Sequence, residues 1–200
     1  SAMSANHAAF NLIFRFVENY VSPIAGRISS QRHVMAIRDG FISAMPFMIV
    51  GSFLLVFAYP PFSPDTTWGF ARAWLDMAKQ FEGQILTPFD MTMGVMSLYI
   101  CAAIAYNLGK HYVKTHQLDP FMCAMLSLMA FLLVAAPKTK GALPVDSLGG
   151  TGIFTAILVA IYCVEMMRFL KAHNIGIRLP DQVPPMIKNS FDLLIPVLVV

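Results

Sequence analysis

Charge is what this sequence has least of: Asp, Glu, Lys and Arg together make up 12% of its 200 residues, roughly half the share in an ordinary soluble domain. Apolar residues make up 57%, and too few charged groups remain to coat a water-exposed surface. The net charge of +3 comes with no dense basic run and no basic stripe interleaved with aromatics, so nucleic-acid binding is excluded. Cysteine is scarce too. Cys101, Cys123 and Cys163 each stand alone in an apolar stretch, a spacing that fits neither a zinc site nor a disulfide framework; small buried hydrophobes are expected. His7, His33, His111, His116 and His173 fall outside the apolar windows at no metal-ligand spacing, and solvated loop or interface positions are expected for all five. No hydrolase triad, metal site or cofactor motif can be argued. Gly149-Gly150-Thr151-Gly152 lacks the Lys-Ser/Thr ending of a phosphate loop and reads as close helix packing.

What is present is a series of long uncharged windows: Phe41 to Tyr59, Met91 to Gly109, Pro120 to Pro137 and Ser147 to Val164. Each approaches the ~20 residues a helix needs to cross a bilayer. The expected fold class is therefore all-α, a polytopic membrane helical bundle with four complete spans near 37–59, 91–109, 120–137 and 147–167. The start of a fifth, 191–200, is cut off by the end of the sequence. Pro46 and Gly51 lie in the first window, where neighbouring helices can satisfy a freed carbonyl and a glycine permits close approach. No window carries a charge near its centre, which counts against an intramembrane proton relay.

Two amphipathic stretches complete the pattern. Phe10, Ile13, Phe14, Val17 and Val21 recur at helical spacing in residues 6–22, predicting a helix at the membrane interface or packed on the bundle end. Trp68, Phe70, Trp74 and Phe81, beside Arg72, Asp76, Lys79 and Glu82, predict a short surface helix within 60–90, its tryptophans at headgroup level. Of the Lys and Arg residues, ten fall before the first window or in the 110–119 and 165–190 connections, against four in the alternate connections. The positive-inside rule then places the N-terminus in the cytoplasm. Ser1-Ala2-Met3 reads as a tag-cleavage scar before residues 4–200, no cleavable signal peptide is expected, and the whole reads as a fragment of a longer protein.

Leu179-Pro180-Asp181-Gln182-Val183-Pro184-Pro185 is a stretch in which a helix cannot propagate. Its stiffness predicts a strut, with Pro180, Pro184 and Pro185 as its rigid points. Three segments resemble the lactose/cellobiose/diacetylchitobiose class of enzyme IIC, the membrane permease of the phosphoenolpyruvate-dependent sugar phosphotransferase system. They are Gln31-Arg32-His33 with Ala36-Ile37-Arg38-Asp39-Gly40, Met45-Pro46 and Gly51-Ser52; Met93-Gly94-Val95-Met96-Ser97-Leu98 with Ile104-Ala105-Tyr106; and the run from Leu179 to Pro196.

The resemblance implies the N-terminal, dimerisation half of a permease in the bacterial inner membrane, about half the family's length. It implies a β-linked disaccharide as substrate and a phosphorylated cytoplasmic IIB-type subunit as partner. The family's functional glutamate and histidine belong to the other half, so no catalytic or phosphorylated residue is expected here. Within this half, the Gly94 to Ser97 turn is the candidate sugar contact: glycine exposes backbone groups and Ser97 offers a hydroxyl. The alternatives are a scaffold without transport of its own and an ion-coupled sugar transporter. Lys188 and Asp192 depart from the small neutral residues expected before the fifth span, and an i,i+4 pair between them is expected.

Overall fold

The computed structural model describes residues 2–137 and 141–200, with side chains from His7 onward. Lys138 and Lys140, two of the four cations on the less basic side, lie outside the described residues. Among the described residues the architecture is all-α.

The chain opens with α1 (Ala2–Phe16), a π-helical stretch (Val17–Val21) and α2 (Ser22–Ser29). No residue of the latter two is buried, and Phe10, Ile13 and Phe14 are all exposed. The amphipathic helix expected over residues 6–22 is thus longer, and it does not pack on the bundle of its own chain. α3 (Arg32–Ala58) starts where the Gln31 side chain accepts a hydrogen bond from the Val34 amide at 2.9 Å, satisfying one of the free donors of a helix start. Its 27 residues rise about 40 Å, with Pro46 held inside the helix.

The short surface helix expected within 60–90 is instead α4 (Gly69–Met91), 23 residues long and packed on α3 through the buried Ala71 and Ala78. The helix breaks at Thr92, tightens through a 3₁₀ turn (Met93–Val95) and resumes as α5 (Met96–His111). The 91–109 window therefore contains a break where one unbroken span was expected. α6 (Val113–His116) ends on Gln117 in the left-handed region. α7 (Pro120–Ala135) is capped by Asp119, whose carboxylate accepts from the Phe121 amide at 2.9 Å. α8 (Ile153–Ala172) follows a 3₁₀ turn at Gly150–Gly152, and α9 (Pro185–Asp192) and α10 (Leu194–Val199) close the chain. Among the described residues, three helical stretches are long and apolar enough to cross a membrane: Arg32–Ala58, Gly69–His111 and Gly150–Ala172. Pro120–Ala135 is apolar but shorter.

The core lies around α5, which packs against α3, α7 and α8 at once. Its Ile100, Cys101, Ile104, Ala105 and Leu108 are fully enclosed, as are Cys123 of α7 and Cys163 of α8; all three thiols fill apolar space as expected. The outward faces carry Phe53, Leu133, Val134 and Phe154, each more than 60% exposed, an arrangement that suits hydrocarbon and not water.

Close approach depends on small residues. A Cβ added to Gly40 would lie 2.4 Å from the Ile104 side chain and 2.9 Å from its backbone nitrogen, which cannot give way without moving α5. One added to Gly83 meets nothing within 4 Å. Gly40→Ala should therefore destabilise the bundle by about 1–3 kcal/mol through overpacking. Gly83→Ala should leave it unchanged or raise it by up to about 1 kcal/mol through helix propensity. Thermal unfolding in detergent reads both, and equal melting temperatures for the two variants would contradict this packing.

Candidate functional site

One end of the bundle gathers ionisable side chains from three helices. Glu165, on the final third of α8, is half-buried and occupied on both oxygens. His33, on the first turn of α3, donates from Nε2 to Glu165 Oε1 at 2.7 Å. The Tyr112 hydroxyl, just past α5, donates to the same oxygen in a short hydrogen bond. Arg168 grips the other oxygen from one turn away, with Nε at 2.7 Å and Nη2 at 2.6 Å.

Further out, the Gln31 side-chain amide lies 2.5 Å from His33 Nδ1, which assigns the ring proton to Nε2, where it meets the carboxylate. The guanidinium carbons of Arg32 and Arg168 stand over the Tyr112 ring at 5.5 and 5.1 Å from its centroid, within cation–π range. Burial pushes the Tyr112 phenol pKa up, and its hydrogen bond to Glu165 pushes it further; at neutral pH the phenol is a protonated donor.

One expectation is corrected here: His33 is not a solvated residue but a half-buried partner of Glu165, while Glu165 itself lies just past the uncharged window that ends at Val164. The sequence offered one signal, the i,i+3 pairing of Glu165 with Arg168 on a single helix. His33 and Tyr112 lie 132 and 53 positions from Glu165, and no local pattern joins them. Chemically the cluster is a clamp: both carboxylate oxygens accept hydrogen bonds, which tie α3, the end of α5 and α8 together.

The same end holds the proline-rich stretch. Pro180 accepts from the Val183 amide at 3.1 Å, and the Pro184 carbonyl accepts from the amides of Ile187 and Lys188, so Pro184 sits just before the first residue of α9, Pro185. The i,i+4 pair expected of Lys188 and Asp192 does not form. Asp192 accepts from Lys171 of α8 at 2.6 Å, whereas Lys188 faces Asp181 at 3.6 Å. Asn189 reaches Asp119, the cap of α7, at 3.1 Å. Lys171 of α8 and Asp181 of the preceding turn thus take the places of the local partners. A cavity of about 340 Å³ opens beside them, lined by His116, Lys171, Asn174, Arg178 and Asp192 among others.

Gly94 and Ser97 lie at the break between α4 and α5. The fully buried Ser97 hydroxyl donates to the Gly149 carbonyl in a short hydrogen bond, and its amide donates to the Leu148 carbonyl at 2.9 Å. A Cβ on Gly149 would lie 2.8 Å from the Gly94 carbonyl. The glycines expected to allow close approach and the candidate sugar contact therefore meet at one junction. Among the described residues no three His, Cys, Asp or Glu side chains converge as metal ligands would.

Comparison with known proteins places this geometry. The family model described as "Phosphotransferase system, EIIC" matches residues 38–200. The chain is 37% identical over 91% of its length to the cellobiose-specific EIIC component of the phosphotransferase system of Geobacillus stearothermophilus, covering 42% of that protein. It is 34% identical over 93% of its length to the lichenan permease IIC component of Bacillus subtilis (strain 168), again covering 42%. The crystal structure of the IIC component from the N,N'-diacetylchitobiose-specific phosphotransferase system superposes with a TM-score of 0.76 at 35% identity, over 92% of this chain and 44% of that one. The chain thus spans about two fifths of the length of the curated relatives it matches.

Glu165→Gln keeps the shape of the clamp but removes the charge that His33 and Arg168 answer. Allowing for the partial exposure of the group, the bundle should lose about 1–3 kcal/mol, and Glu165→Ala should lose more. Unfolding in detergent measures the difference; an unchanged midpoint for both variants would mean that the cluster holds nothing together.

Proposed function

Because the chain belongs to the phosphotransferase system EIIC family, we propose that it is the N-terminal half of a permease. Such a permease binds a disaccharide, β-linked and cellobiose- or chitobiose-like, and presents it to a phosphorylated cytoplasmic IIB-type subunit. The observation that carries this reading is the superposition over 92% of the chain on a IIC component at 35% identity. Fusion of a B component to relatives that are 31–33% identical, the lactose-specific EIICB components, supports the partner.

In this reading α3, α4–α5, α7 and α8 are four spans, α10 opens a fifth, and the N-terminus is cytoplasmic. The Glu165 cluster, Lys110, Lys114 and Lys171 then lie together at the cytoplasmic end, as the positive-inside rule requires. The half acts as a rigid frame and self-associates as a two-fold dimer through its outward apolar faces. The Gly94–Ser97 turn belongs to helix packing, because its hydroxyl is enclosed and already bonded. The chemistry is phosphoryl transfer, to which the permease contributes positioning and exclusion of water.

The absence of a charged residue near the centre of any apolar window favours this reading over an ion-coupled carrier. Phosphoenolpyruvate-dependent accumulation of phosphorylated cellobiose by the intact protein tests it. Accumulation of unmodified sugar would replace it with an ion-coupled carrier, and no accumulation of any β-linked disaccharide would leave only a scaffold.

The proline-rich stretch gives a second test within the same assay. Replacing Pro184 and Pro185 together by glycine frees the backbone just before α9, each step costing on the order of 1 kcal/mol. Uptake should fall while membrane insertion and the dimer survive. Uptake within about twofold of wild type at equal expression would reduce the stretch to an ordinary linker.

A further inference from the structure

The end of the bundle opposite the Glu165 cluster carries a cavity of about 410 Å³ between the end of α3, the 60–64 turn and α4. That size falls within the roughly 300–1,000 Å³ of small-molecule sites. Its α4 wall presents Arg72, Asp76, Lys79 and Glu82, which recur three or four positions apart and so share one face of the helix. Across from them stand Tyr59 and Phe62. Arg72 is anchored by donating from Nη1 to the Pro64 carbonyl at 2.8 Å, and Glu82 accepts from the Tyr59 hydroxyl at 3.1 Å. Among the described residues Asp76 has only the Arg72 guanidinium, 4.0 Å away, and no hydrogen bond or ion pair engages Lys79.

Two cations and two carboxylates sum to no net charge, so the cavity attracts neither an anion nor a cation. What it offers is alternating donors and acceptors against a flat aromatic and proline surface. That combination suits a neutral molecule rich in hydroxyls with one apolar ring face. We propose that this cavity is a second, peripheral saccharide site, on the outer face of the membrane, which holds a disaccharide before it reaches the translocation pathway. The assignment of ligand and side rests on the permease reading above. The residues that bind the ring are Tyr59 and Phe62, and those that bind its hydroxyls are Asp76, Lys79 and Glu82.

The chain carries its own reporter. Its only two tryptophans, Trp68 and Trp74, lie with ring centroids 5.7 and 5.5 Å from Phe62, so a ligand seated on Phe62 changes their surroundings. With the chain in lipid nanodiscs, cellobiose and N,N'-diacetylchitobiose should produce a saturable change in tryptophan emission in the millimolar range. The Lys79→Ala/Glu82→Gln double variant should weaken that response by about tenfold or more, as expected for two lost charge-assisted hydrogen bonds. Asp76→Asn, which keeps the shape of the wall, should weaken it less.

No response to either disaccharide up to about 50 mM overturns the proposal. So does an equal response in the double variant, or the same response to inorganic phosphate. The two readings fail separately. Phosphorylating uptake by the intact protein without a tryptophan response removes this site alone. A tryptophan response in a protein that delivers unmodified sugar keeps the site and removes the coupling to phosphorylation.

Discussion

The structure depends first on how closely α3 and α5 approach. Within a bilayer the lipid tails are as apolar as any leucine, so helices are not driven together by exclusion from water and must gain their contact from tight packing. Gly40 supplies it at one level, with the Ile104 backbone where its Cβ would be; Gly51 supplies it at another, against the Met93 Cβ. Ala36 and Ala44 are buried on the same stripe. Between these levels Phe47 stacks on Tyr99 at 4.1 Å, and the Tyr99 hydroxyl donates to the Met91 carbonyl, an acceptor left over at the end of α4. Everything else in the core takes its position from α5: α7 meets it through Cys123, 2.9 Å from where a Cβ on Gly109 would be, and α8 through Ala156 and Ala160.

Close packing alone does not define the angle at which four rods meet, and the ends of the bundle do that differently. At the Glu165 end, three helices that share no sequence neighbourhood are tied by hydrogen bonds to one carboxylate. Leaving any of those groups unpaired so near the membrane would cost more than the hydrogen bond gains, so the geometry is constrained from three directions. The ties from Lys171 to Asp192 and from Asn189 to Asp119 extend the same constraint to α9. The proline-rich stretch leaves the bundle beside these ties and re-enters helix at a proline whose φ is already set.

Much of this was legible in the sequence because it is local. The charge-free windows overlap α3, α7 and α8 and match α7 to within a few residues, but α3 starts nine residues before its window and α8 runs eight past its own, because a helix continues into charged residues where the apolar stretch ends. The all-α class and the burial of the three cysteines follow from the same constraint. The break at Thr92–Val95 was not legible: neither Thr92 nor Gly94 stops a helix by itself, and the contacts that accompany the turn are the hydrogen bonds of Ser97 to the Leu148 and Gly149 carbonyls some fifty residues away. The clamp was hidden for the same reason, and Lys188 and Asp192 show the reverse error. Their i,i+4 spacing permitted a local pair, but partners on α8 and in the 181 turn sit closer in the folded chain, and a helix-surface pair is worth too little to compete.

The far end of the bundle is built on the opposite plan. There α3 stops at Ala58 and α4 begins at Gly69, and the chain between them is held by rings: Phe62 against both tryptophans, Phe57 against Trp74, and the Trp74 indole donating to the Phe57 carbonyl at 3.2 Å. Aromatic contacts of this kind hold a surface in place while leaving charged side chains around it free to turn outward. Lys79 and Asp76 use that freedom, whereas both oxygens of Glu165 are occupied. The difference arises because the carboxylate of Glu165 meets side chains from α3, from just past α5 and from its own helix, while, among the described residues, that of Asp76 meets only Arg72 of its own helix.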